Sequence, residues 1–181
     1  MFAPEIYAQR RKNLRHDLPG GIILFLGNQE VPFNYPANTY SFRQDSNFSY
    51  FFGLDHPDLA GVIDLDHDQT WIFGNDVDID DIIWMGKQPS VREQAAMVGV
   101  ENTAPLKELN RMITSALDQK RAVHFAPPYR GETILWLSDL LGVHHLQLRK
   151  MVSEPLVKNI IRLRMKKETG EIKAIEKMVD V

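Results

Sequence analysis

"LAGVIDLDHDQTWIFG", residues 59–74, sets two apolar stretches on either side of the polar tetrad Asp66-His67-Asp68-Gln69. Val, Ile, Trp and Phe flanking a turn rich in Asp predict a β-hairpin. Upstream, "GGIILFLG", residues 20–27, is an apolar run between glycines and predicts a strand buried on both faces. Downstream, "RAVHFA" (121–126) predicts a strand, "GETILWLSDLLG" (131–142) a helix closed by Gly142, and "HHLQLR" (144–149) a further strand. Strand, helix, strand in that order argues for a crossover and at least one parallel pair. The reading is therefore an α/β chain.

The remaining segments fill in around that frame. Pro4 to His16 predicts a first helix, with Ile6 and Leu14 among its few apolar anchors. Residues 90–98 and 105–117 predict two more; Leu106, Leu109, Ile113, Ala116 and Leu117 give the second a stripe of 3.6-residue period. "EVPFNYPANTYSF" (30–42) holds two prolines and aperiodic aromatics and reads as a surface loop. "FRQDSNFSYFFGLDHPDL" (42–59) turns from polar to aromatic, with Phe48, Tyr50 and Phe52 on one side of a period-two pattern, and reads as a strand.

Composition bounds the class. The 181 residues are 44% hydrophobic and 25% charged, enough to bury a core, and a net charge of -3 supplies no field toward nucleic acid or membrane. The absence of cysteine excludes disulfides, thiolate metal sites and Cys nucleophiles, and fits a reducing compartment. The N-terminal charges interrupt any signal peptide, and no apolar run approaches the length of a membrane span. These bounds describe a soluble cytoplasmic protein.

Motifs for chemistry are scarce. Asp76, Asp78, Asp80 and Asp81 could hold a hard divalent cation, but acidic residues ahead of an apolar run better suit a solvated turn or a helix entry. His144 and His145, adjacent on a predicted strand, would face opposite ways. No glycine-rich phosphate loop follows a strand, and Ser46 and Ser49 lack a nucleophile-elbow context. Lys and Arg across residues 158–167 read as a solvated linker rather than a nucleic-acid surface. Nothing in the chain assembles a catalytic centre.

Three separated stretches nonetheless resemble the N-terminal domain of the creatinase/prolidase/Xaa-Pro aminopeptidase family: "SFRQDSNFSYFFGLDHPDLAGVID" (41–64), "DIIWMGKQPS" (81–90) and "VKNIIRLRMKKETGEIKAIEKM" (157–178). The first has Arg, then Asp-Ser, then aromatics, then Gly and an acidic-Pro turn before an apolar strand. The second has the family's acidic-x-x-Trp-x-Gly segment. The third is similar to the linker that leads into the catalytic domain. The Arg-then-aromatic opening favours Xaa-Pro aminopeptidases over prolidases and creatinases. Two departures stand out: Glu168 occupies a position where that linker often has Ser, and Lys87-Gln88 replaces a double Arg seen in some members.

The resemblance implies an α/β fold in which helices flank a mixed β-sheet, ribonuclease-H-like, over residues 1–160. Residues 161–181 would form a linker and the first helix toward an absent pita-bread catalytic domain. That domain would hold two divalent metals, usually manganese, through ligands that have no counterpart in this sequence. The implied parent is a homo-oligomer that acts on peptides with proline in the second position, with no nucleic acid or membrane partner. The implied substrate-cleft candidates are Trp84, whose family counterpart reaches a neighbouring subunit's active site, together with Arg43 and Asp45. Ile172, Ile175 and Val179 give the last helix an apolar stripe that would pack on the catalytic domain. The rival reading is a peptide- or protein-binding module whose parent has lost its metal ligands.

Overall fold

The structure is a computed structural model that describes residues 2–77, 86 and 88–179. Its centre is a five-stranded mixed sheet of β1 (Ile22–Leu26), β4 (Ala60–Asp64), β5 (Gln69–Phe73), β6 (Asn102–Ala104) and β7 (Val123–His124), in the order β6-β5-β4-β1-β7. The predicted hairpin is β4–β5, antiparallel from Ala60 opposite Phe73 to Asp64 opposite Gln69. Strand β1 runs antiparallel to β4 and parallel to β7, and β5 runs parallel to β6. A separate two-stranded hairpin, β2 (Pro32–Tyr35) and β3 (Asn38–Thr39), stands where the sequence suggested an irregular loop.

The period-two rule divides β1 between two cores. Ile23 and Phe25 point to one face, Ile22, Leu24 and Leu26 to the other, and all five are buried. The first face is covered by α1 (Pro4–Leu14), α2 (Ser46–Phe52), α3 (Val91–Ala96) and α7 (Glu154–Met165). The second is covered by α4 (Leu106–Asp118), through Leu109, Ile113 and Ala116, and by α5 (Gly131–Leu141), through Leu137, Leu140 and Leu141. The sheet is thus sandwiched between two helical layers.

Three further sequence readings change. Residues 46–52 are helix α2, not a strand. Phe48, Phe51 and Phe52 recur at the helical spacing i, i+3, i+4 as well as the aromatics do at period two, and the caps decide between them. Asp45 accepts hydrogen bonds from the Asn47 and Phe48 amides, both at 2.9 Å, and Gly53 closes the helix at φ 65°. Residues 144–149 are not a strand either: a 3₁₀ turn (His145–Gln147) runs into the short α6 (Leu148–Met151). The parallel pairs come instead from β1 with β7 and from β5 with β6. Residues 158–167 are mostly helix α7, not a solvated linker, because Ser153 caps it and Leu156, Asn159 and Ile160 are buried.

One close approach fixes how α2 lies on the sheet. A Cβ on Gly61 would sit 2.3 Å from the Phe52 ring, so the ring rests directly on the β4 backbone. Helix α1 ties this layer together through two buried arginines. Arg10 is 2% exposed and Arg11 is 3% exposed. Arg11 donates to the carbonyls of Phe51 (2.9 Å), Val98 (2.8 Å) and Gly99 (3.0 Å), joining the ends of α2 and α3. Burial, with Arg15 nearby, pulls its guanidinium down to about 10.

Helix α8 (Thr169–Val179) has no buried residue, and Ile172 and Ile175 are about half exposed. Its start is nonetheless fixed, because Arg10 reaches Glu168 and Glu171.

Candidate functional site

The polar stretch before α2 is consumed largely in building the fold. Gln44 is buried, and its Oε1 accepts from the Asn28 and Asp45 amides at 2.7 and 2.9 Å while its Nε2 donates to the His56 carbonyl at 2.8 Å. Asn28 in turn donates from Nδ2 to the Arg43 carbonyl at 2.8 Å. This lattice pins the β1 end, residues 43–45 and the turn at His56 to one another. The buried amides of Gln44 and Asn28 thus find partners, as burial demands.

Of the three cleft candidates, Asp45 is the N-cap of α2, and it also lines a small hollow with Asn28, Asn47, Pro127, Pro128 and Tyr129. Arg43 is exposed and uses its backbone, not its guanidinium, in the lattice. It borders two hollows, one shared with Ser46, Ser49 and Asp55, the other with Tyr40, Ser41 and Arg130. Trp84 lies outside the described residues. The structure therefore brings Arg43 and Asp45 to neighbouring positions but not to one cavity. Arg130 escaped the sequence reading; a cation placed at a helix start, against the helix dipole, was the signal available for it.

A wider trough of about 520 Å³ opens beside Asp45's neighbour Asn47, lined by Pro127, Ile160, Ile161, Arg164 and Met165. Arg164 donates to Asn47 Oδ1 at 2.6 Å, so α7 is tied to the start of α2. Ile161 is 51% exposed and Met165 76% exposed along this trough.

The histidines and acids fall into structural roles. His124 is buried; its Nε2 lies 2.9 Å from the Gly20 carbonyl and its Nδ1 2.8 Å from Ser153 Oγ. A carbonyl can only accept, so Nε2 carries the proton and Nδ1 accepts from the Ser153 hydroxyl. His144 and His145 do not face apart as a strand would require: their rings lie 4.1 Å apart at the start of the 3₁₀ turn. Asp76 accepts from the Val91 amide at 2.7 Å, at the start of α3; Asp78, Asp80 and Asp81 and the apolar run after them lie outside the described residues. Among the described residues no three His, Cys, Asp or Glu side chains cluster as a metal ion requires, so they do not fit the metal pair that the family resemblance implies. No helix among them is long and apolar enough to cross a membrane.

At the turn of the β4–β5 hairpin, Arg121 bridges Asp64 and Asp66 and His67 Nδ1 lies 2.9 Å from Asp64 Oδ2. Burial pushes the Asp64 carboxyl up, but hydrogen bonds from His67 and Arg121 outweigh it and hold the group below the usual carboxylate range. This cluster locks the β1, β4 and β7 ends together.

A mixed sheet between two helical layers is also the architecture found in solved aminopeptidases P. A protein from Bacillus anthracis assigned as an aminopeptidase P superposes with a TM-score of 0.78 at 20% identity, over 97% of this chain and 43% of that one. Zinc-substituted Escherichia coli aminopeptidase P in complex with product gives 0.66 at 23% identity, over 82% and 34%. Residues 7–142 match the family model described as the aminopeptidase P N-terminal domain, and the chain belongs to that family. Among curated relatives, Xaa-Pro aminopeptidase 3 of Mus musculus is 28% identical over 80% of this chain, and Xaa-Pro aminopeptidase of Escherichia coli is 26% identical over 66%. The chain spans 30% and 28% of those two proteins.

Proposed function

We propose that this chain is the non-catalytic N-terminal part of a metal-dependent Xaa-Pro aminopeptidase that removes an N-terminal residue preceding proline. The observation that carries the reading is the family match over residues 7–142, joined to relatives named as Xaa-Pro aminopeptidases and more than three times longer than the stretch they share with it. In this reading the domain narrows access to the cleft, with Arg43, Asp45 and Trp84 toward the peptide, and assists assembly of a cytoplasmic homo-oligomer. The open trough along Ile161 and Met165 supports a further domain packed against α7, since exposed apolar side chains in a groove favour a covering partner. The metal pair, manganese in the proposal, would be held outside these residues and would activate water and polarise the scissile carbonyl. What this chain's own residues do is shape and position.

The test is a peptidase assay on two proteins, the 181-residue chain and one of the relatives' length. With manganese present, only the longer protein should release the first residue from an Xaa-Pro peptide. Metal-dependent release by the pure 181-residue chain would sink the division of labour. A longer protein that binds such peptides without cleaving them would favour a binding module instead.

A further inference from the structure

A cavity of about 200 Å³ lies between the β2–β3 hairpin and the start of α5, lined by Gln29, Tyr40, Ser41, Arg43 and Arg130 among others. Two guanidinium groups share it, and neither is well neutralised. The Arg43 side chain meets no acid and no carbonyl among the described residues. Arg130 has a single carboxylate, Glu132, at 3.7 Å, longer than a charge-assisted hydrogen bond. Of the other carboxylates nearby, Asp58 is engaged by Gln29 Nε2 at 3.1 Å, and Asp55 lines the separate hollow on the other side of Arg43.

Arg130 occupies the N-cap of α5 and makes no side-chain cap, so its side chain is not spent on the helix. Two cationic side chains lining one small cavity suit an oxyanion placed between them. The hydroxyls of Tyr40 and Ser41 line the same cavity, and a planar carboxylate suits a guanidinium fork.

The rim of the cavity indicates what carries the charge. Phe33 and Tyr40 pack edge to face at 5.0 Å on the hairpin, yet are 61% and 56% exposed. A free inorganic ion has no use for such a shelf, whereas an anion with an apolar neighbour does. We propose that this cavity binds the terminal carboxylate of a short peptide, with Arg43 and Arg130 on the carboxylate and the Phe33–Tyr40 shelf against the preceding side chain. The proposal goes beyond the peptidase reading, because binding is read on the 181-residue chain itself and holds whether or not the longer protein cleaves peptides.

The experiment is a ¹H–¹⁵N titration of the 181-residue chain with the tripeptide Ala-Phe-Ala, its C-terminal amide, and inorganic phosphate. The tripeptide acid should give saturable shifts at Ser41, Phe42 and Arg43 and at Gly131 and Glu132. Its amide should bind about tenfold more weakly, the order expected for losing hydrogen bonds to a charged partner. Arg43→Gln and Arg130→Gln should each weaken the acid by a similar factor while keeping the parent's melting curve, and Arg43→Lys should retain part of the affinity. Equal binding of acid and amide, or an affinity unchanged in both glutamine variants, overturns the proposal. So do saturation by phosphate alone and the absence of saturable shifts with any ligand.

Discussion

Arg10 and Glu168 lie 158 residues apart, and the guanidinium holds a single carboxylate oxygen through Nε at 3.1 Å and Nη2 at 2.8 Å. Arg10 also donates to the buried Tyr50 carbonyl at 3.0 Å and lies over the Tyr50 ring at 4.0 Å, with Phe2 and Tyr7 around it. One buried cation therefore joins α1, α2 and the start of α8. Because Glu168 is partly exposed, Glu168→Gln should cost only about 1 kcal/mol. Arg10→Ala should cost about 3 kcal/mol, since it also empties a space among three rings and strands a buried carbonyl. Arg10→Lys should rescue little, because an ammonium cannot reproduce the fork. Urea midpoints of the three variants check the order.

Acid should loosen the hairpin turn through Asp64. Its folded-state carboxyl lies below the ordinary range, so it contributes stability above the unfolded value, and that contribution is lost as pH falls through the folded one. Stability should therefore decline below about pH 4, the ordinary Asp range. Asp64→Asn should be less stable at neutral pH and show a flatter acid limb. An acid limb of unchanged slope in Asp64→Asn, read from denaturation midpoints between pH 2 and 6 (roughly the carboxylate window), would place the loss elsewhere.

Gly61→Ala should destabilise by about 1–3 kcal/mol, as overpacking does, because its methyl would meet the Phe52 ring on β4. Phe52→Leu, a smaller side chain at the same spot, should recover part of that loss in the double variant. Strict additivity across the double-mutant cycle would show that the two residues do not share the space.

The two proposed roles of Asp45 separate by chemistry. As an N-cap, Asp45→Ala should cost about 1 kcal/mol while Asp45→Asn costs little, since both Asp and Asn oxygens accept from first-turn amides. If the carboxylate also faces peptide in the longer protein, Asp45→Asn should alter KM with the melting temperature unchanged. Kinetics identical to the parent's would leave capping as its whole role.

Trp84→Ala in the longer protein provides the matching test for the remaining cleft candidate. A cleft residue should change peptide kinetics at nearly constant melting temperature. A core Trp lost to Ala should instead cost about 3–5 kcal/mol with kinetics per folded molecule unchanged.

The central hairpin and β1 were legible because burial imposes period two there and nothing competes with it. Helix α2 was misread because aromatics at 48, 50, 51 and 52 satisfy both periods; the Asp45 cap and Gly53 stop, on either side of the aromatic run, carried the information instead. In "HHLQLR" Leu146 and Leu148 mimic alternation, yet Leu146 is 71% exposed and only Leu148 is buried. Strand β6 is three residues long, below the length at which any period can be read. The candidate site was legible only in part. Arg43 was visible as a charge ahead of an aromatic run, but its companion Arg130 is brought alongside by tertiary folding, which no local pattern records.

The sheet ends in β6 and β7, three and two residues long. A row of open backbone donors and acceptors invites another chain to zip on, and very short borders offer too few to hold one. Crowding or partial heating should therefore find this domain resistant to strand-by-strand fibre growth. Association between copies, where it occurs, is left to side chains on the helical layers and the projecting aromatic hairpin.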